Sequence, residues 1–194
     1  EGETLYEKAN YILQYCTELQ SDCFGLSRNK PPIRIGIPPM LSTVFFPELL
    51  TAFQKEYPDV PVMLEEYASV RACNLVQNDS LDLALVNMEQ YNIDKFHHAL
   101  LANDQVVFCV SKEHPLVRKE EATIQDMAQL PLIFFNGDSV QNQLLKIRFE
   151  LEGSTPHVLM HNSQIYTTLQ FLKNSNCGCF LYSSMTDKFP DIVQ

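Results

Sequence analysis

The chain has 194 residues, 45% of them hydrophobic and 20% charged, enough to build one or two globular lobes with real cores. Its formal net charge is −10, 14 basic residues against 24 acidic, and no basic stripe interrupts the acidic surface, so the chain by itself is expected to bind nucleic acid poorly. No apolar run approaches the ~20 residues of a bilayer span, and Glu1-Gly2-Glu3-Thr4 lacks the basic head and apolar stretch of a secretory signal, which makes a cytoplasmic location with no membrane partner the expectation.

Residues 4–24 read as a helix without Pro or Gly. Leu5, Ala9, Ile12, Cys16, Leu19 and Cys23 recur at 4-3-4-3-4, a heptad seam of larger residues facing smaller ones. The seam suits dimerisation through Leu5, Ala9, Ile12, Cys16 and Leu19; the alternative is an amphipathic helix lying on its own domain. Gly25 is a helix stop, and Pro31-Pro32 is a stiff link to the first strand.

An alternation of strands and helices then begins. Ile33–Ile37 is a strand broken by Pro38-Pro39. Ser42 or Thr43 caps a helix with Leu49, Leu50, Phe53 and Tyr57 inward, stopped at Tyr57-Pro58. Residues 60–65 are a second strand, Ser69 caps a shorter helix carrying Val70, Cys73 and Val76, and residues 81–86 are a third strand apolar enough for burial on both faces. Residues 105–111 are a strand, followed by an exposed turn at His114-Pro115. Strands at 132–135, 157–161 and 178–182 enclose helices at 139–152 and 163–173. The alternation predicts βαβ units and parallel sheets in two similar blocks, about 33–100 and 104–183.

In open parallel sheets, ligands sit beyond the carboxyl ends of the strands. Those positions hold Pro39, Met40, Leu41, Ser42 and Thr43, then Tyr67 and Ser69, then Asn87. In the second block they hold Asn136, Gly137 and Ser139, then Ser163, then Ser183 and Ser184. Hydroxyls and amides near helix starts suit an anionic oxygen, although plain helix capping explains each residue taken singly.

No catalytic set emerges. GxSxG, P-loop, HExxH and GxGxxG patterns are missing. His97, His98, His114, His157 and His161 have no carboxylate or cysteine at ligand spacing, so no metal and no cofactor are expected. Asp82, at the head of a strand, suits a local turn or an interdomain bond better than acid–base work. The six cysteines form no CxxC pair and read as reduced, packed residues rather than a redox switch.

The chain resembles the LysR-type transcriptional regulators. The resemblance is carried by Glu1 to Ala9 (EGETLYEKA), Ile33 to Ile37 (IRIGI), Phe46 to Val60 (FPELLTAFQKEYPDV), Leu81 to Val86 (LDLALV), His114-Pro115-Leu116 and Leu130 to Ile133 (LPLI), in order over about 180 residues. The resemblance implies an α/β fold of two Rossmann-like lobes, similar to type II periplasmic binding proteins, preceded by a linker helix. It divides the chain into a linker and dimerisation helix at 1–30, lobe 1 at 33–100, lobe 2 at 104–183, and the start of a return segment at 184–194. It implies a small-molecule effector in an interlobe cleft, a homodimer or homotetramer, and DNA contact only through a winged helix-turn-helix upstream. Met40 to Ser42, Ser69, Asn87, Asn136 to Ser139 and Ser163 match the family's ligand positions. The sequence departs from the family at Ser80, where Gly is usual, and at Asn174 to Gly178, where Gly-x-Gly is usual. The expected function is the binding of a small anionic metabolite by a regulator, without catalysis; the alternative is a solute-binding protein that delivers its ligand to a transporter.

Overall fold

The computed structural model describes residues 2–25, 30–88, 92, 94–136 and 139–194. The chain separates into two compact units, Glu1–Ile37 with Phe45–Val86, and Pro38–Val44 with Asn87–Gln194. Each unit has its own sheet, three-stranded in the first and five-stranded in the second.

The first unit opens with α1 (Gly2–Gly25), the expected helix. Its seam residues Ala9, Ile12, Cys16 and Leu19 are all exposed, Ile12 at 64% and Leu19 at 66%, so the rest of the chain does not cover them. The side chain of Leu5 lies outside the described residues. Next come β1 (Ile33–Ile37), α2 (Pro39–Glu56), which belongs to this unit from Phe45 onward, β2 (Val62–Glu66), α3 (Ser69–Gln77) and β3 (Leu83–Ala84). The strand order is β2-β1-β3, and both pairings are parallel. Gly36 lets α3 approach the middle strand closely: a Cβ there would lie 2.5 Å from Leu81 Cδ1 and 3.3 Å from the Ala72 Cβ.

Three local expectations are corrected. The helix after β1 begins at Pro39, not at a cap formed by Ser42 or Thr43. Proline's fixed φ suits a first turn, and both hydroxyls instead donate back to Pro39 O, at 2.6 Å from Ser42 and 3.3 Å from Thr43. The buried residues of α2 are Met40, Leu41 and Val44, whereas Leu49 and Tyr57 are exposed. The third strand is two residues long and only half buried: Leu81 packs inside while Leu83 is exposed, because β3 is an edge strand.

The second unit contains β4 (Val106–Ser111), α4 (Ile124–Ala128), β5 (Leu132–Phe134), α5 (Val140–Leu151), β6 (Val158–His161), α6 (Ile165–Asn174), β7 (Gly178–Tyr182), α7 (Ser183–Thr186) and β8 (Ile192–Val193). Its order is β6-β5-β7-β4-β8. The sheet is mixed, not wholly parallel as the alternation suggests: β5 runs parallel to β6 and β7, while β4 is antiparallel to β7 and β8. The partners of β4 are β7 and β8, which are not its neighbours in chain order, so the strand–helix alternation carries no information about their relative direction.

The core of this unit is Leu132, Ile133 and Phe134 on β5, Phe149 on α5, and Cys179, Phe180 and Leu181 on β7. Phe134 meets Phe180 edge-on with ring centroids 5.5 Å apart, and Phe149 at 6.4 Å. Such offset aromatic contacts add to plain area burial. Cys73, Cys109, Cys177 and Cys179 are buried free thiols that behave as small apolar fillers, and Cys16 is an exposed free thiol. Burial pushes the Cys73 and Cys177 thiols up from their ordinary value.

The expected exposed turn at His114 is a second correction in this unit. His114 is 7% exposed and caps a short 3-10 helix (Pro115–Arg118), its Nδ1 accepting from Leu116 N at 3.1 Å. A ring nitrogen that can cap a helix start explains why His stands before Pro115.

Candidate functional site

In the first unit, the carboxyl end of β2 leads to Tyr67, whose backbone N donates to Ile37 O at 3.1 Å. Its hydroxyl donates to the Glu65 carboxylate. That hydrogen bond, together with burial, raises the phenol above its ordinary value of 10.0. The guanidinium of Arg71 lies 4.9 Å from the centre of the Tyr67 ring. Ser69 is buried and is the first residue of α3, but the N-cap is Ala68, so the expectation that Ser69 caps this helix is corrected.

The segment after β1 places Met40 and Leu41 in the interior, leaves Pro39 and Ser42 half-buried, and leaves Thr43 exposed. Residues 38–44 group with the second unit. Within that unit Lys188 Nζ donates to Val44 O at 3.3 Å.

The second unit brings several expected residues together around the β5–α5 loop. Asn136 N donates to Ser163 Oγ at 3.3 Å, which joins the loops after β5 and β6. Ser139 is the N-cap residue of α5, but its hydroxyl donates to Gln141 Oε1 at 2.6 Å rather than capping the helix. Gln141 Nε2 donates to the Tyr182 hydroxyl at the end of β7, and Asn87 Nδ2 points at the same oxygen from 3.5 Å. Ser139, Gln141, Tyr182 and Asn87 therefore form one neutral polar cluster. Ser183 and Ser184 turn instead toward Gln194 and Asp104. Gly137 and Asp138 lie outside the described residues.

Sequence reasoning missed Gln141, Asn142, His161 and Tyr182. Asn142 is 1% exposed and donates from Nδ2 to Phe135 O at 2.6 Å and to Asn136 O at 2.7 Å. His161 Nδ1 donates to the same Phe135 carbonyl at 2.8 Å. Two of the four had a visible signal. An amide at position 142 interrupts the apolar face of a helix, and Tyr182 ends an apolar strand next to two serines. His161 and Gln141 had none, since their partners are backbone or distant side chains.

Among the described residues, no group of three His, Cys, Asp or Glu side chains could hold a metal ion, and no helix is long and apolar enough to cross a membrane.

Two sheets flanked by helices, with polar residues gathered at strand tips, define an α/β ligand-binding architecture of the periplasmic-binding-protein kind. The family model described as the LysR substrate binding domain matches residues 27–191. The chain belongs to that family. It is 31% identical over 135 residues to the HTH-type transcriptional regulator YwbI of Bacillus subtilis (strain 168), a match covering 70% of this chain and 44% of that protein. It is 24% identical over 110 residues to the transcriptional dual regulator GltC of the same organism, covering 57% and 37%. The chain thus spans less than half the length of these curated relatives. Among solved structures, the effector binding domain of QuiR in complex with shikimate superposes with a TM-score of 0.68 at 19% identity, covering 83% of this chain and 78% of that one. The reduced regulatory domain of OxyR2 from Vibrio vulnificus gives 0.67 at 12% identity, covering 84% and 78%. At such identities the likeness is one of fold.

Proposed function

We propose that this chain is the effector-sensing part of a DNA-binding transcriptional regulator, and that a small metabolite binds beyond the carboxyl ends of its parallel strands. The observation that carries this reading is the polar convergence at the β5–α5 loop, where Asn136, Ser163, Ser139 and Tyr182 meet in a chain of this family. Hydroxyl and amide groups held this way offer fixed donors and acceptors around a small guest. The relatives named above are transcriptional regulators, and the QuiR domain is seen with shikimate; both support an effector rather than a transported solute.

In this reading each unit offers effector-contacting residues, Tyr67 and Ser69 in the first and Pro39, Met40, Leu41, Ser42, Thr43, Asn87, Asn136, Ser139 and Ser163 in the second. The domain performs no chemistry. Binding shifts the regulator only through unequal affinity for its two arrangements. The exposed seam of α1 pairs with a second copy, and DNA is read by a winged helix-turn-helix upstream. The regulator works in the cytoplasm.

The test is thermal denaturation against a panel of small carboxylates and polyols, shikimate among them. At least one compound should raise the melting temperature of the parent chain, and Ser69→Ala and Asn136→Ala should each weaken that shift. A panel with no effect on the parent chain, or shifts indifferent to both substitutions, sinks the site map.

A further inference from the structure

His161 stands at the carboxyl end of β6, and its side chain is exposed. Its Nδ1 meets Phe135 O at 2.8 Å. A carbonyl oxygen can only accept, so Nδ1 carries the proton and the neutral ring keeps a lone pair at Nε2. Tying Nδ1 to the backbone turns Nε2 away from it. The ring is fixed a second time by Phe134, which it meets edge-on at 88° with centroids 6.3 Å apart.

The carbonyl that orients His161 is itself held. Asn142 Nδ2 donates to Phe135 O at 2.6 Å and to Asn136 O at 2.7 Å. Both amide hydrogens of Asn142 are thereby committed. Its Oδ1 is left buried with no donor among the described residues. The turn after β6 is committed in the same way, since Asn162 gives its two amide hydrogens to Gln164 O and Thr168 Oγ1. The side-chain amides of Asn142 and Asn162 have no hydrogen left to offer a guest, whereas His161 Nε2 and Asn142 Oδ1 are both acceptors. An oxyanion would bring lone pairs to lone pairs there; a hydroxyl brings the missing hydrogen.

We infer that His161 is a specificity-determining residue of the second unit, accepting at Nε2 from a hydroxyl group of the effector, and that Asn142 is the positioning residue that holds the Phe135 carbonyl and through it the ring. The inference rests on the effector-site reading above and deepens it. It assigns to this turn a hydroxylated part of the guest, separate from the anionic group expected from the sequence.

The experiment uses the full chain with isotope-labelled histidine and reads the imidazole nitrogens by NMR. Without any probe, neutral His161 should be protonated at Nδ1; the Nε2–H tautomer overturns the inference. Glycerol should shift His161 Nε2 saturably. Its trimethyl ether, which has no hydroxyl, and acetate at constant ionic strength should not, and equal shifts from the ether or from acetate overturn the inference. Two variants separate ligand contact from structural support, followed through the Asn136 and Ser163 amides. An asparagine side chain places its amide where Nδ1 stands, and a glutamine reaches the place of Nε2. His161→Asn, which keeps the bond to Phe135 O and loses the acceptor, should weaken glycerol about fivefold, the scale of one neutral hydrogen bond, while His161→Gln should stay nearer the parent. A purely structural histidine gives the opposite order. An unchanged spectrum away from the two turns establishes that each variant is folded; if one is not, the tautomer and the ether comparison on the parent chain decide. Glycerol binding at Asn136 and Ser163 that ignores His161→Asn keeps the effector site and rejects the role of His161, whereas saturation at no residue of the strand tips rejects both.

Discussion

Arg34 closes on Asp82 through two side-chain contacts, Nη2 to Oδ1 at 2.9 Å and Nε to Oδ2 at 3.2 Å, while the backbone N of Arg34 donates to the same Oδ2 at 2.7 Å. A second hydrogen bond runs from Nη2 to Asp79 O at 2.8 Å. Asp79 has φ +58°, a left-handed turn position. The pair therefore locks the turn before β3 onto β1, which makes Asp82 a structural residue of the three-stranded sheet.

Asp82→Asn should cost about 1 kcal/mol at neutral pH, because the pair is partly exposed and solvent screens it. The cost should depend on pH. The Arg34 hydrogen bonds hold the Asp82 carboxyl below its ordinary value of 3.8. A depressed carboxylate contributes fully above its unfolded value and loses that contribution as pH falls through the folded one. Urea denaturation at pH 7 and pH 3 should show the parent and the variant converging in acid; a gap of equal size at both values contradicts the ionic account.

Asn142 pins the loop that carries Asn136. Replacing it with Ala takes the side-chain donor from Asn136 O and leaves Phe135 O with His161 alone, at about 1–3 kcal/mol for such a loss. Asn142→Asp should be worse, about 3–5 kcal/mol, since an unpaired carboxylate would face two carbonyl oxygens. Chemical denaturation of the two variants measures the order, and an Asp variant as stable as the Ala variant would falsify this geometry.

His114 accepts at Nδ1 from Leu116 N, so its neutral form carries the proton on buried Nε2, which has no partner among the described residues. Burial holds the folded value below the ordinary 6.5. Well above pH 6.5 both folded and unfolded chains are neutral at this position. As pH falls below it, the unfolded chain takes the proton first and stability drops, levelling off below the folded value. His114→Asn keeps a capping acceptor and should remove this part of the slope between pH 7 and 5. Identical slopes for the two proteins would show that another group is responsible.

Gly178 sits under an aromatic ring. A Cβ there would lie 2.4 Å from Phe108 Cε2 and 2.6 Å from Cζ, with Leu132 Cδ2 at 3.3 Å. Gly178→Ala should cost about 1–3 kcal/mol by overpacking. Phe108→Leu should relieve part of it, so the double variant should be more stable than the sum of the two single losses. Strict additivity in thermal melts would count against the clash.

The exposed seam of α1 gives the fifth expectation. Ile12→Asp combined with Leu19→Asp should convert a self-associating chain to a monomer in sedimentation without changing the far-UV signature of the two α/β units. An unchanged mass assigns self-association to another surface.

Much of this architecture was legible in one dimension. The period-2 apolar run Ile33–Ile37, the long helix before it, and the strand–helix order from residue 132 onward depend on local periodicity and turn chemistry, which each segment carries by itself. The strand tips derive from those elements, so Ser69, Asn136 and Ser163 could be named as candidates from their positions alone. Tertiary structure alone decided which neighbour each polar group meets. The direction of β4 is set by its partners β7 and β8, which come from distant sequence. Leu83 is exposed because β3 is an edge strand. Tyr182 receives Gln141, and Arg71 lies across Tyr67, because folding brings those side chains within a few ångströms. Periodicity tells a residue which face it occupies; hydrogen bonds and ring contacts act over about 3–5 Å, a distance that chain order alone does not specify.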